Sequence, residues 1–275
     1  MRGCHTAPAR RYGAVDEPSP SPGDPLSRNR VLPGARSLLA PALSLSLACP
    51  LGCQTPGAAP ARSDDRGAEA PEAPGAPVDV EAVFPHPPTR RLVEAAAASD
   101  RSGVQAALDA GADIDAQGLD GATPLLWHLA RANASAVQVL LDAGADTGVA
   151  DDWGDSAPLL AAVLADPECL SLVLAAGGDA EARTPGGQTP LLRAASVGAV
   201  GCLRRLIEAG VDVGHSDRNG LTALHYAVMA ESSECALELL RAEADPFAPE
   251  QSGLTPLDLA ALSTNPRMRE ALNLE

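Results

Sequence analysis

Three cysteines at a constant interval are the first residues of this chain whose spacing suggests chemistry. They are Cys169, Cys202 and Cys235, and thiols that meet in a fold can bind a metal ion or form a disulfide. We call the spacing from Cys169 to Cys202 the repeat interval. No Cys-x-x-Cys or His-Glu-x-x-His motif accompanies the three thiols, so the usual ligand spacing of a zinc site is absent. Whether they meet depends on the elements that carry them.

The histidines and carboxylates offer no catalytic pattern. His128, His215 and His225 show no metal-ligand spacing. Five aspartates recur at the repeat interval, namely Asp113, Asp146, Asp179, Asp212 and Asp245. This recurrence is typical of turn formers at one repeated place and not of a converging acid–base pair. The chain has no lysine, which excludes a Gly-x-x-x-x-Gly-Lys-Ser/Thr phosphate loop. We therefore predict no enzymatic activity, no metal and no cofactor.

The same interval organises the chain from residue 88 onward. One glycine column comprises Gly121, Gly154, Gly187, Gly220 and Gly253. A threonine or serine stands at the second position after each of these glycines. A second glycine column, at a fixed distance after the first, comprises Gly144, Gly177 and Gly210. Such columns are typical of stacked supersecondary units that bury their apolar faces against one another.

The repeated segments resemble the ankyrin repeat. Residues 187–198 read GQTPLLRAASVG and residues 140–146 read LLDAGAD. The resemblance covers residues 88–275, with units that start near residues 88, 121, 154, 187, 220 and 253. It implies an all-α fold, a solenoid of stacked helix-turn-helix units with hairpin-like loops that we call fingers. All periodic sequence belongs to these units, which leaves no room for a separate catalytic domain.

The constant interval and the ankyrin resemblance also indicate structural roles for the three thiols and for one histidine. The three cysteines take a second-helix position that the ankyrin family fills with Ile or Val facing the core. Equivalent positions in stacked helices lie about 8–10 Å apart, whereas a disulfide needs Cα atoms within about 7 Å. We therefore expect three buried, reduced thiols. His225 takes the histidine position of the family's Thr-Pro-Leu-His motif, which implies a structural hydrogen bond.

Three departures from the repeat predict local irregularity. Glu243 stands where the other units end their second helix on glycine, so its unit needs a different C-cap, and a left-handed glutamate there would cost about 1 kcal/mol relative to glycine. His128 and Leu129 replace the paired alanines of the first helix, so the second unit should pack less regularly against the third. Pro158 stands one position later than the other prolines, so the first helix of its unit should start late.

The first 87 residues have a different composition. Sixteen of the 25 prolines lie in residues 1–88. Segments without apolar periodicity cannot bury enough surface to offset backbone ordering. We predict a disordered leader at 1–36, most of which is absent if translation begins near Val31. We predict a second disordered region, a Pro/Ala-rich linker, at 54–87.

Residues 37–53 lie between these two regions and have the shape of an export signal. A basic flank precedes a twelve-residue apolar run and a cysteine. The segment resembles a bacterial lipoprotein signal, which implies lipid attachment at Cys49 or Cys53 and a periplasmic or outer-membrane-anchored protein. Pro41 interrupts the run, and the alternative is an Ala/Leu-biased leader of a cytoplasmic protein. The run is too short to span a bilayer, so we predict no transmembrane helix.

The ankyrin resemblance implies a concave face formed by the finger tips and the exposed side of the first helices. By position, the partner-binding residues are Leu119, Asp120, Arg131, Asp152, Trp153, Asp155, Leu164, Val197, Arg218, Asn219, Leu221 and Met229. We expect Trp153 to be the main contact, because an exposed tip tryptophan is costly in water and typical of binding hot spots. The alternative is that Trp153 packs over a neighbouring finger.

Charge narrows the class of partner. Residues 88–275 contain 12 arginines and 27 acidic residues, which disfavours nucleic acid and favours encounter with a basic protein. We predict a monomeric, non-enzymatic protein-binding module. The alternative is an accessory subunit that supports or protects a periplasmic or cytoplasmic enzyme.

Overall fold

The computed structural model describes residues 79–273, and within that range the chain is helical. Its α-helices are α1 (Val80–Val83), α2 (Pro87–Ala97), α3 (Arg101–Asp109), α4 (Pro124–Leu129), α5 (Ala134–Asp142), α6 (Ala157–Val163), α7 (Pro167–Ala175), α8 (Pro190–Ser196), α9 (Val200–Glu208), α10 (Ala223–Met229), α11 (Ser233–Arg241), α12 (Pro256–Leu262) and α13 (Pro266–Ala271). A 3-10 turn covers Leu119–Gly121. Over the same residues, no helix is both long and apolar enough to cross a bilayer.

Helices α2 to α13 form six successive pairs that stack in two layers. The first helices of the pairs, α2, α4, α6, α8, α10 and α12, contact one another in order. Behind them the second helices from α5 to α13 form a parallel row of contacts. All six second helices begin at the repeat interval, and so do the first helices from α4 onward. The all-α solenoid that the resemblance implied is confirmed.

Side-chain caps set where many of the helices begin. The Thr123 hydroxyl accepts the backbone N–H of Leu126 at 3.2 Å, and Thr189 accepts that of Leu192 at 3.4 Å. Each bond satisfies one of the amides that a helix leaves without a partner in its first turn. Pro158 does not delay α6, which begins at residue 157 in register with the other first helices. The predicted late start is wrong because the second helical position also lacks an intrahelical N–H partner.

Small side chains allow close packing in the middle of the stack. Ala161, Ala162, Ala194 and Ala195 are fully buried, and α8 approaches both α6 and α10 closely. Helix α4 carries the bulkier His128 and Leu129, and it approaches α2 and α6 less closely. The least regular packing was expected between the second and third units, but α4 contacts α2 less extensively than it contacts α6, so the weaker junction is the one with the first unit.

Left-handed residues end the helices at two columns. Glu243 has φ 64°, so it takes the same left-handed conformation as the glycines at the equivalent position of the other units. A second column, between the two helices of a pair, was missed. It comprises Ser99, Ala132, Ala165, Gly198 and Glu231, all with positive φ. Only one of these five is a glycine, so the sequence shows no glycine column there.

An N-terminal cap precedes the first helix pair. Val83 and Phe84 are buried against Val93 and Trp127, and the Phe84 and Trp127 rings meet edge to face at 5.8 Å. Residues 79–87 were expected to belong to the disordered linker. For these residues the expectation is wrong, because Val83 and Phe84 are buried against the first two helix pairs. The predicted export signal, including Cys49 and Cys53, lies outside the described residues.

Candidate partner-binding face

Five short loops join the helix pairs, and they are the predicted fingers. Fingers 1 to 5 are residues 118–122, 151–155, 184–188, 217–221 and 250–254. In each finger the first residue donates its N–H to the carbonyl of the last, at distances between 2.8 and 3.2 Å. The fourth residue is always the glycine of the first column, with φ between 72° and 88°. A left-handed residue at that point closes a tight loop, which is why the sequence places glycine there.

Buried acceptors stiffen two of the fingers. Asp151 Oδ1 accepts the N–H groups of Trp153 at 3.0 Å and of Asp155 at 2.8 Å. Asp217, at the equivalent position of finger 4, makes the same two bonds to the N–H groups of Asn219 and Leu221. Burial raises the pKa of Asp151, while the three backbone N–H groups around it oppose the rise. These carboxylates serve the loop and are not presented to a partner.

Backbone hydrogen bonds tie neighbouring fingers together. The N–H of Asp152 donates to the carbonyl of Asp120 at 3.2 Å, which joins fingers 1 and 2. The equivalent bonds from Arg218 to Gly186 and from Gln251 to Asn219 join fingers 3 to 4 and 4 to 5. Between fingers 2 and 3 the donor position is Pro185, which has no N–H. The row of fingers therefore has one gap, beside Trp153.

Most of the predicted partner-binding residues are at the surface. The exposed ones are Leu119, Arg131, Asp152, Trp153, Arg218, Asn219 and Met229. The half-buried ones are Asp120, Leu164, Val197 and Leu221. Trp153 is 43% exposed, so it does not pack fully over a neighbouring finger. Its partner-binding role remains a prediction.

Asp155 was also predicted to bind a partner, but it is buried. Its side chain is 5% exposed and forms an ion pair with Arg193, whose Nη2 lies 2.7 Å from Asp155 Oδ1. Burial raises the pKa of Asp155, and the neighbouring Arg193 opposes the rise. The carboxylate is thus an internal brace between finger 2 and α8, and a partner cannot contact it. No pattern in the sequence indicates this contact, because the two residues lie 38 positions apart in different units.

A second brace at the equivalent position of the next unit was also missed. The Tyr226 hydroxyl donates to Asp217 Oδ2 at 2.8 Å and accepts from Gln188 Nε2 at 2.8 Å. Burial, followed by this bond to Asp217, raises the pKa of Tyr226 to about 12. Tyr226 stands one repeat interval after Arg193, so one column of the first helices holds fingers 2 to 4 in place.

Arg131 is exposed but already has a partner within the chain. Its Cζ lies 3.2 Å from the centre of the Trp127 ring, and its Nη1 donates to the Trp127 carbonyl at 3.2 Å. A guanidinium over an indole face is a favourable cation–π arrangement. Two side chains therefore contact the Trp127 ring: Arg131 covers its face, and the Phe84 ring meets it edge to face.

Two surface residues of the same columns escaped the sequence reasoning. Leu254 lies one repeat interval after Leu221, and Leu262 lies one repeat interval after Met229. Both are exposed, Leu262 by 78%. The interval itself was the signal that could have found them. Together with the fingers, the exposed ends of the first helices form what we call the finger face.

The thiols and imidazoles are structural. Cys169, Cys202 and Cys235 are free and fully buried, and burial raises the pKa values of Cys169 and Cys202 to about 12. His225 accepts the Thr222 N–H at Nδ1, which is the structural hydrogen bond expected of it. No group of three or more metal-ligating side chains gathers within residues 79–273.

The buried His128 has a clear structural role as well. Its Nε2–H donates to the Val93 carbonyl at 3.1 Å. Burial, with a smaller contribution from Arg131, lowers the pKa of His128 to about 4. The imidazole is therefore neutral at physiological pH and ties α4 to α2.

Comparison with known proteins supports the fold and the repeat. The family model described as ankyrin repeats (3 copies) matches residues 159–250 and 191–273. An ankyrin repeat domain from Acinetobacter baumannii AYE is 31% identical, with a TM-score of 0.60, over 70% of this chain and 97% of that domain. The ankyrin repeat protein EF0377 is 26% identical with the same TM-score, over 67% of this chain and 97% of its own.

A third solved structure is that of the ankyrin repeat domain of Bcl-3, a member of the IkappaB protein family. It is 26% identical, with a TM-score of 0.60, over 67% of this chain and 85% of that domain. No curated protein sequence gives a significant match. The constant repeat interval, the stacked helix pairs and these matches lead to one conclusion: the chain belongs to the ankyrin-repeat family.

Proposed function

We propose that the chain binds a protein partner on its finger face. One observation carries this proposal. The large hydrophobic side chains that are exposed within residues 79–273 are Leu119, Trp153, Met229, Leu237, Phe247, Leu254 and Leu262. All except Leu237 and Phe247 lie on the finger face. Apolar side chains gathered on one side of a folded domain are typical of an interaction surface.

Charge supports a basic partner. Acidic residues outnumber arginines by more than two to one in residues 88–275. Several arginines are also engaged within the chain, such as Arg193 with Asp155, Arg101 with Asp142 and Arg204 with Glu238. The remaining negative potential would steer a basic protein towards the domain.

The test is affinity capture with the full chain and matched variants. Trp153→Ala and Leu254→Ala each remove one exposed apolar side chain of the finger face, and we expect each to lower capture of the same partner. Phe247→Ala is the control, since Phe247 is 66% exposed but lies outside the face. Equal capture by all four proteins would contradict binding on the finger face. A constant stoichiometric complex with one enzyme would instead favour the accessory-subunit alternative.

We also propose that all six helix pairs are ankyrin units and that the chain is exported as a lipoprotein. The first proposal is supported by the common register of the second helices, which all begin at the repeat interval. The second depends on residues 37–53 alone. Mass spectrometry that finds lipid on Cys49 or Cys53 would support export, whereas an intact N-terminus in the cytoplasm would exclude it.

A further inference from the structure

The gap between fingers 2 and 3 leaves a backbone acceptor without a partner. Neighbouring fingers are otherwise joined by the N–H of a finger's second residue, which donates to the carbonyl of the third residue of the preceding finger. At this junction the acceptor is the carbonyl of Trp153 and the donor position is Pro185. No hydrogen bond within residues 79–273 reaches that carbonyl. A strong acceptor is therefore available at the tip of finger 2.

The exposed residues at this junction are a tryptophan, a proline and a glycine. Trp153 is half exposed, and the equivalent residue on finger 3 is Gly186, which has no side chain. The Pro185 ring packs against finger 2, because a Cβ placed on Gly154 would lie 2.6 Å from Pro185 Cδ. We call the space bounded by Trp153, Pro185 and Gly186 the tip notch. It combines a half-exposed indole, a proline ring and a backbone acceptor.

The exposed carboxylate of finger 2 lies towards finger 1 and not towards the tip notch, since Asp152 Oδ1 would be 2.9 Å from a Cβ placed on Gly121. Asp152 is exposed at the tip of finger 2 and forms no ion pair within residues 79–273. Asp151 is buried beneath it with its Oδ1 on backbone N–H groups. Arg193 is mostly buried and forms its ion pair with Asp155. A partner's cation is therefore attracted by the domain as a whole, because carboxylates outnumber arginines in residues 88–275.

The chain itself shows which side chain satisfies such a combination. Arg131 lies over the Trp127 ring and donates to the Trp127 carbonyl. A planar guanidinium can stack on an indole and donate in its own plane at the same time, whereas an ammonium group cannot stack. Trp153 has the exposed ring and the carbonyl, but within residues 79–273 no arginine lies over its ring.

We propose that the tip notch binds an arginine side chain of the partner. The guanidinium stacks on Trp153 and donates to the Trp153 carbonyl, while the excess of carboxylates on the domain attracts the cation. This inference rests on the proposed function, since it names the group that the finger face recognises. It also explains why proline, which removes a hydrogen bond between fingers, stands beside the exposed tryptophan.

The test uses NMR of the ¹⁵N-labelled full chain. The chain has two tryptophans, so it gives two indole N–H signals, and buried Trp127 is an internal reference for Trp153. The probes are the acetylated, amidated pentapeptides Gly-Ser-Arg-Ser-Gly and Gly-Ser-Lys-Ser-Gly. We expect the arginine peptide to shift the Trp153 signal saturably, with about fivefold higher affinity than the lysine peptide.

Three variants separate the notch from general attraction of cations to an acidic protein. Trp153→Leu keeps an apolar side chain without the π face and should reduce affinity for the arginine peptide about fivefold. Pro185→Ala supplies the missing N–H to the Trp153 carbonyl and should reduce the preference for arginine over lysine. Phe247→Ala should change neither. Equal binding of both peptides, or equal binding by all variants, would overturn the proposal.

The two proposals fail in different ways. If affinity capture finds a partner on the finger face and Trp153→Leu retains it fully, the notch is not the recognition element but the finger face still binds. If the arginine peptide shifts the Trp153 signal selectively and yet no partner depends on the finger face, the notch stands and the proposed function fails.

Discussion

Arg193 and Asp155 form an ion pair that joins two neighbouring units of the solenoid across the gap between fingers 2 and 3. Their side chains are 17% and 5% exposed, and the Nη2–Oδ1 distance is 2.7 Å. At this junction the pair is present where the backbone bond between fingers is absent, because Pro185 has no N–H. Arg193 Nε is buried without a hydrogen-bond partner, so the pair carries a desolvation cost and depends on its Coulombic contact.

Arg193→Met should therefore destabilise the protein strongly at neutral pH. It leaves the Asp155 carboxylate buried without its counter-ion, which costs about 3 kcal/mol when one partner of a buried pair is removed. Urea unfolding at pH 7 measures the loss. Adding Asp155→Asn should recover much of it, because the double variant no longer buries a charge. A loss below about 1 kcal/mol would show that the pair is too solvated to matter.

The same variant should regain stability in acid. Burial raises the pKa of Asp155 in the folded chain above its ordinary value of 3.8, and removal of Arg193 should raise it further. A carboxyl with a raised folded pKa holds its proton more tightly in the folded state, so lowering the pH through that pKa stabilises the fold. The difference between Arg193→Met and wild type should narrow as the pH falls from 7 towards about 4.

His128 should make the wild-type protein acid-labile. Its pKa falls to about 4 in the folded chain because of burial, whereas an unfolded histidine titrates near 6.5. Between these two pKa values the histidine is protonated in the unfolded chain but neutral in the folded chain. The free energy of unfolding therefore decreases as the pH falls. From pH 7 to pH 5 the loss due to this group should be about 2 kcal/mol.

His128→Gln provides the measurement. An amide can donate to the Val93 carbonyl, as His128 does at 3.1 Å, but it does not titrate. Urea unfolding of both proteins at pH 7 and pH 5 should give a smaller pH dependence for the variant. His225 also has a lowered pKa because of burial, but it is present in both proteins and cancels in the comparison. Parallel profiles would contradict the neutral, buried state of His128.

The sequence predicted the features that recur in every unit, but it did not indicate contacts between two particular residues of neighbouring units. The ankyrin resemblance implied the fold and the tip position of Trp153, and the glycine interval identified Glu243 as an exceptional helix end. It could equally have identified Leu254 and Leu262, which only extend columns already recognised. Asp155 was assigned to the surface because every finger has that position, and its burial depends on Arg193 in the next unit. Such a contact belongs to two particular units and has no repeated signature.

The N-terminal cap was missed for a different reason. Phe84 and Val83 lie in a proline-rich segment with no periodicity, so neither residue predicts a helix or a core position. Their site is formed by Trp127 on α4 together with Val93 and Ala122. Side chains of the first two units thus cover a segment that lies outside the repeats.

Glu243→Gly should stabilise the domain. Glu243 has φ 64°, and a left-handed non-glycine residue costs about 1 kcal/mol relative to glycine. The matched control is Gly210→Ala at the equivalent position of the preceding unit. Gly210 has φ 79°, and an added Cβ would meet nothing within 4 Å, so the cost there is purely conformational. Thermal unfolding should show opposite shifts of similar size, and a lowered Tm for Glu243→Gly would contradict the assignment.

Phe84→Ala should loosen the N-terminal end of the stack and leave the rest intact. Phe84 is buried against Trp127, and removing such a side chain costs about 3–5 kcal/mol when it supports the whole cooperative unit. In a solenoid each unit contacts only its neighbours, so the loss should stay local. Hydrogen exchange should accelerate in α2 to α4 and remain unchanged in α8 to α11. Phe247→Ala, which removes a mostly exposed ring, should change neither region. Uniform acceleration along all the helix pairs would instead mean that the cap stabilises the domain as one cooperative unit.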